Sequence, residues 1–237
     1  MDKKPLQKPQ LPQPLRLNKF LAERLGVSRR EADDLIVAGK VLVDNKPAIL
    51  GTRIDKNNKV CYNNKIVPFD TEFLYLAFNK PVGYVCSRRA QGDTPTLYEL
   101  LPKEYQKLKT VGRLDKDSSG LILLTNDGDF AFQMTHPKFK KEKIYEVSLS
   151  RPLEPLHQQM ISDYGVMLDD GPSKFTVIKN EAKSHASYIV VLSEGRNRQI
   201  RRTFAALGYQ VVSLHRTQFG KYQLSGLEPG KYVTIKP

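Results

Sequence analysis

The feature that most constrains this chain is a change of hydrophobic period along it. Between residues 15 and 39 apolar side chains recur at helical spacing. They are Leu17, Phe20, Leu21 and Leu25 in "LRLNKFLAERLG", then Ala32, Leu35 and Ile36 in "SRREADDLIVAGK". Ser28 and Glu31 form a capping box that opens the second helix, and Gly26 and Gly39 stand where the two helices end. "VLVDNKPAIL" then reads as strand, turn and strand, with Asp44, Asn45 and Pro47 as turn chemistry. From residue 73 the period shortens. "GLILLTN", "KIYEVSL", "KFTVI" and "ASYIVVLS" are short apolar and β-branched runs between turn residues, and they read as strands. "GRNRQIRRTFAALGY" reads as a loop entering a helix with Ile200, Phe204 and Leu207 on one face. Helix and strand mix without a βα alternation, which predicts an α+β chain built on a mixed, mainly antiparallel sheet.

The 237 residues, 40% of them hydrophobic, suffice for a small domain and a medium one. The expected organisation is a disordered basic tail at 1–14, rich in Pro, Gln and Lys, a compact two-helix and strand module at 15–62, a linker at 63–72, and a larger domain at 73–237. The chain has 38 Lys and Arg against 25 Asp and Glu, a net charge of +13. Both parts share the excess: residues 1–70 carry 14 basic and 8 acidic side chains, and residues 71–237 carry 24 and 17. A polyanionic partner, most simply nucleic acid, fits this balance. So does a basic protein without one, and charge alone leaves both open.

Other classes are easier to exclude. Cys61 and Cys86 have neither metal-ligand spacing nor a disulfide framework, which fits a reducing compartment. No apolar leader opens "MDKKPLQKPQLPQP", and no run approaches the roughly 18 apolar residues of a membrane span. A cytoplasmic protein is expected. Walker and Rossmann glycine patterns, HExxH, CxxC and GxSxG are missing, and the four histidines are scattered. We therefore expect no metal and no redox cofactor.

Asp115, in "VGRLDKDSSGLILLTNDGDF" (111–130), stands out against the basic background. As a turn residue it would accept N–H bonds ahead of the following strand. As an active-site carboxylate in a partly apolar setting it would need a cation to stay ionised. Arg113 and the arginines of "EGRNRQIRR" (194–202) are the candidates, and both readings of Asp115 stand on the residues alone.

Two resemblances bear on the choice. "SRREAD" and "GKVLVDNKPA", within residues 15–62, resemble the S4 RNA-binding domain. That implies that exposed basic groups grip structured RNA, by position Lys19, Arg29, Arg30 and Lys40. Residues 111–130 resemble the active-site motif of the pseudouridine synthases. "KIYEV" and "EGRNRQIRR" are similar to that family's two other signature segments, and "NKPVGYV" opens the catalytic domain as it does there. With an S4 domain in front, the chain resembles the RsuA branch of the bacterial ribosomal RNA enzymes.

This resemblance implies isomerisation of uridine to pseudouridine in ribosomal RNA without a cofactor. Asp115 is then the catalytic carboxylate, Tyr145 packs against the uracil and steers proton removal at C5, and Arg201 pairs with Asp115. Arg113 holds the flipped nucleotide or its phosphates, and Leu192 walls the base pocket. Phosphate contacts come from residues 136–143 and from Arg196, Arg198 and Arg202. The partner is ribosomal RNA or an assembling subunit, with no obligate protein partner and a monomeric chain, since no heptad or long apolar stripe is present. Relatives with near-identical motifs act on each subunit's RNA, so the subunit stays open. The rival readings are an S4-bearing assembly factor that only clamps RNA, a glycosidase that releases free uracil, and a modifier of another structured RNA such as transfer RNA.

Overall fold

The computed structural model of the protein describes residues 14–70, 72–88 and 92–237. Apart from Pro14, the tail expected to be disordered lies outside the described residues. The chain divides into two compact units, residues 1–73 and 74–237.

In the first unit, strand β1 (Leu15–Arg16) leads directly into helix α1 (Leu17–Arg24), and helix α2 (Arg29–Val37) follows. The helical spacing read from the sequence is the buried face: Leu17, Phe20, Leu21, Ala32 and Ile36 are all inside. Ser28 Oγ accepts from Glu31 N at 3.1 Å, and Glu31 Oε2 accepts from Ser28 N at 2.6 Å. That box satisfies two N–H groups, and loss of such a cap costs about 1 kcal/mol. At the other end Gly39, with φ 68°, lets Gly39 N reach Ile36 O and Lys40 N reach Leu35 O, which closes the helix in a Schellman turn.

Strands β2 (Val41–Val43), β3 (Lys46–Pro47), β4 (Arg53–Ile54), β5 (Val60–Tyr62) and β6 (Lys65–Ile66) complete the unit. β3, β2, β5 and β6 form one small sheet in that order, and β1 pairs with β4. The expected linker at 63–72 needs correction. Asn63 and Asn64 both take positive φ, so the chain turns tightly and Lys65–Ile66 pairs back on Cys61–Tyr62. Val67 is buried, and Phe69 stacks on Phe20 at 4.6 Å. Two adjacent asparagines were a hairpin signal, not a linker.

The second unit contains strands β7 (Tyr75–Lys80), β8 (Lys109–Val111) and β9 (Ser119–Thr125), helix α3 (Gly128–Thr135), strand β10 (Lys143–Leu149) and helix α4 (Pro155–Gln159). They are followed by β11 (Val166–Leu168), β12 (Gly171–Ser173), β13 (Thr176–Lys179), β14 (Ser187–Leu192), helix α5 (Gln199–Ala206), β15 (Val211–Phe219), β16 (Tyr222–Gln223) and β17 (Tyr232–Thr234). Among the described residues the main sheet has nine strands. Its path runs β13-β14-β10-β15-β9-β7-β17, with β16 attached to β15 and β8 to β9. β15 with β9 is its parallel pair, and the other pairings are antiparallel.

That parallel contact is unusually close. A Cβ on Gly120 would lie 2.2 Å from Arg216 O, and Gly120 has φ 104°, so only glycine fits. The crossing places Ser119 and Gly120, at the start of β9 just after the Asp115 loop, beside the middle of β15. Alternation along β15 then decides what faces where. Leu214 and Arg216 point into a cleft, His215 points the other way and bonds Ser119 Oγ at 2.8 Å, and the register shift opposite Ile144–Tyr145 returns Phe219 to the cleft side.

Candidate active site

The cleft on that face has a volume of about 440 Å³, within the range of a small-ligand site. Asp115 sits in the loop between β8 and β9, on its wall. The loop conformation is fixed from outside. Lys80, at the end of β7, is fully buried, and its ammonium donates to the carbonyls of Pro81 (3.0 Å), Asp115 (3.0 Å) and Ser118 (2.7 Å). Burial pushes its pKa down, and the nearby Cys86, Asp115 and Asp117 offset this in part. Cys86 adds a two-way contact: its thiol donates to Leu114 O at 3.2 Å, and Leu114 N donates to the sulfur at 3.3 Å. Gly83 N donates to Lys116 O at 2.8 Å. The "NKPVGYVCS" segment is therefore a backbone clamp on the Asp115 loop.

Arginines of the segment entering α5 set the charge around the loop. Arg198 Nη1 lies 3.4 Å from Asp115 Oδ2, and Arg198 also forms a fork with both oxygens of Asp117, at 3.0 Å each. That fork holds the Asp117 carboxyl below its ordinary range and raises the Arg198 guanidinium. Arg198 has φ 45°, an uncommon left-handed backbone for a non-glycine residue, at the entrance to α5.

Arg201, expected to pair with Asp115, is placed differently. It donates to Val211 O (2.9 Å), Asp117 O (2.7 Å) and Ser118 Oγ (3.4 Å), and its Nε lies 3.3 Å from Asp117 Oδ2. Its two Nη groups bond backbone carbonyls on either side, so it braces the loop while Arg198 faces Asp115. Nothing in the spacing of "RNRQIRR" distinguishes the two arginines. Their backbone places do: Arg198 stands in a left-handed turn just before α5, and Arg201 lies in its first turn.

Tyr145 and Leu192 reach the same cleft from β10 and β14. Tyr145 is paired with Val190 on one side and Arg216 on the other, at a break in register between Ile144 and Tyr145. Arg113 lines the cleft and is exposed. Arg196 lines it too, but its Nη groups are held by Asp170 and by the carbonyls of residues 170–172. Arg202 is engaged by Asp169, Asp170 and Asn197 O, and it is not among the lining residues. Both arginines, expected as phosphate contacts, instead tie the β11–β12 hairpin to the start of α5. Carboxylates close in space took donors that the sequence left open.

Two cations at the site were missed as individuals. Arg216 is 2% exposed, donates through Nε to Leu121 O at 2.7 Å, and has no hydrogen-bond partner at Nη2 among the described residues. Lys143, inside the basic segment 136–143, donates to Lys141 O (3.2 Å) and Glu194 O (3.3 Å). Burial, with Arg216 nearby, pulls its pKa down to about 8. The sign follows from the charge: Lys143 is cationic below that value and neutral above it. Its ¹³Cε resonance should therefore titrate near pH 8, whereas exposed lysines do so at about 10.4. A midpoint in the ordinary lysine range would show that Lys143 is not buried against Arg216.

On the first unit, Arg29, Arg30 and Lys40 are exposed, whereas Lys19 is half-buried beside Glu23 at 3.9 Å. Arg24 donates to the carbonyls of Pro68 and Phe69 and lies over the Phe20 ring, so it closes its own domain.

Comparison with known proteins identifies both parts of the chain. Residues 15–60 match the S4 domain, and residues 74–206 match the RNA pseudouridylate synthase family. The chain is 36% identical over 226 residues to the ribosomal small subunit pseudouridine synthase A of Pasteurella multocida, covering 93% of this chain and 96% of that one. It is 33% identical over 227 residues to the ribosomal large subunit pseudouridine synthase B of Bacillus subtilis, covering 94% and 92%. A crystal structure of a pseudouridylate synthase superimposes with a TM-score of 0.67 at 32% identity, covering 94% of this chain and 96% of that one. With its S4 module in front and its aspartate loop clamped beside the cleft, the chain belongs to the RNA pseudouridylate synthase family.

Proposed function

We propose that this protein converts a specific uridine of ribosomal RNA to pseudouridine, with Asp115 as the acting carboxylate and no cofactor. The observation that carries the reading is the convergence of Asp115, Tyr145, Leu192 and Arg113 on one cleft from three separate segments of the chain. The names of the relatives support ribosomal RNA as the substrate. We further propose that the protein acts as a monomer in the cytoplasm.

The reaction breaks the bond from C1′ to N1, turns the uracil, joins C1′ to C5, removes the C5 proton and leaves a proton on N1. No atom is gained or lost, so neither an oxidant nor an energy source enters. Asp115 either adds to C1′ or takes the C2′ proton, and both routes need it ionised. Arg198 at 3.4 Å sets a cation against that carboxylate. Tyr145 packs against the base and steers removal of the C5 proton. Leu192 walls the pocket, and Arg113 holds the extruded nucleotide. Arg201 acts as a positioning residue through the backbone of the loop. Lys143 and Arg216 offer donors to the uracil oxygens, on which negative charge gathers as N1 departs.

The test is to incubate the protein with unmodified small- and large-subunit ribosomal RNA and to map pseudouridine by carbodiimide labelling and reverse-transcription stops. One new stop establishes the reaction and names its subunit. Tight binding with no stop on either RNA would favour a clamp.

The S4 module supplies the grip in this reading. Replacing Arg29 and Arg30 together by Ala, in the full chain, should weaken RNA binding. The slope of log affinity against log salt should shrink by roughly 1.4 to 1.8, since each phosphate contact contributes about 0.7 to 0.9. An unchanged slope would take both residues off the RNA.

A further inference from the structure

Helix α3 turns Phe130 and Met134 inward, at 8% and 6% exposure, and leaves Phe132 on its outer face at 45%. The short 3₁₀ turn Pro137–Phe139 then presents Phe139 at 37%. Phe132, His136 and Phe139 form one cluster, with ring centroids 4.6, 5.9 and 6.4 Å apart. Neither phenylalanine belongs to a core cluster. The ammonium of Lys138 lies over both of their rings, at 5.2 and 4.7 Å. Residues 132–141 hold three lysines and no carboxylate, and His136, Pro137 and Lys141 are themselves part of the cleft wall that includes Asp115.

We infer that this ring cluster is a stacking platform for an unpaired nucleobase of the RNA, the one adjacent to the target uridine. The inference rests on the reading of the cleft as a uridine-modifying site. Drawing a uridine out of its stack exposes the faces of its neighbours, and that unstacking must be offset. Exposed aromatic faces flanked by cations do so for any base, because every base has a π-face. Two rings are far too little area for a protein interface, which needs about 800 Å² on each partner. The lysines match phosphates on either side of the stacked base, and the platform is continuous with the cleft.

The test uses the full chain and a short oligouridine RNA carrying one 2-aminopurine, whose fluorescence is quenched on stacking. Binding should quench the probe. Phe132→Leu with Phe139→Leu should abolish most of the quench and weaken affinity about tenfold or more, with the salt slope unchanged. Leucine keeps the apolar volume and removes the π-face, and both sites lie outside the core, so the fold is preserved. Equal quench and equal affinity in the double variant would overturn the platform. Pseudouridine mapping on ribosomal RNA is run alongside. Phe-dependent quenching by a protein that forms no pseudouridine leaves the platform standing and removes the reaction. Normal conversion with equal quench and affinity in the variant does the reverse.

Discussion

Asp115→Asn is expected to lower pseudouridine formation by about a thousandfold or more while leaving RNA affinity nearly intact. The substitution changes shape little. It removes the negative charge that both candidate routes require, whether the carboxylate adds to C1′ or takes a proton from C2′. Loss of one member of an acting constellation commonly costs on this scale. The RNA-binding surface should be untouched, because Asp115 is one of the few acidic groups in a cleft otherwise lined by Arg113, Lys141, Lys143 and Arg198. The loop should also persist, since its clamps run through the backbone carbonyls of Asp115 and Ser118 and not through the carboxylate. Turnover is read as reverse-transcription stops after carbodiimide labelling, and affinity by filter binding. Turnover comparable to the parent would remove Asp115 from the mechanism.

Lys80→Met should be the most damaging change outside the cleft lining. Methionine matches the volume and apolar stem but donates nothing. Three carbonyls, those of Pro81, Asp115 and Ser118, then lose their shared donor, and the bond to Ser118 is fully buried. An unsatisfied buried acceptor costs about 1 to 3 kcal/mol. Part of this is offset, because burying the ammonium was itself unfavourable, as its lowered pKa shows. A net loss of about 3 kcal/mol lowers the melting temperature of a domain this size by roughly 6 to 12 °C. Below that temperature turnover should still fall about a hundredfold, since displacement of an acting group by about 1 Å has such an effect. Differential scanning calorimetry and the labelling assay read the two effects separately. A variant with unchanged melting and turnover would show that the loop holds its shape without Lys80.

Much of this protein was legible from its residues because the signals are local. The Ser28–Glu31 box, the Gly39 turn, the buried stripe of α1 and α2 and the strands around "LILL" and "IYEV" each depend on side chains within four positions of one another. The misjudged stretch at 63–72 was also a local signal, the paired asparagines, read as composition instead of turn chemistry. The three signature segments pointed to one site because each carries its own residue types.

What the tertiary structure alone decided concerns partners far apart in the chain. Arg198 and Arg201 have the same reach and the same charge. Which of them faces Asp115, more than 80 residues away, depends on how the left-handed turn before α5 packs against the β8–β9 loop. Lys80 reads as an ordinary lysine until β7 brings it beneath that loop, 35 residues on. Arg216 reads as part of an alternating strand until the parallel contact at Gly120 seats it beside the cleft. Arg196 and Arg202 had the composition of phosphate ligands, and a hairpin bearing Asp169 and Asp170 took them. Short-range sterics and hydrogen bonds fix elements within a few residues, so a sequence determines them directly. Pairing between charges is set by distance in space, and only the packed sheet supplies that distance.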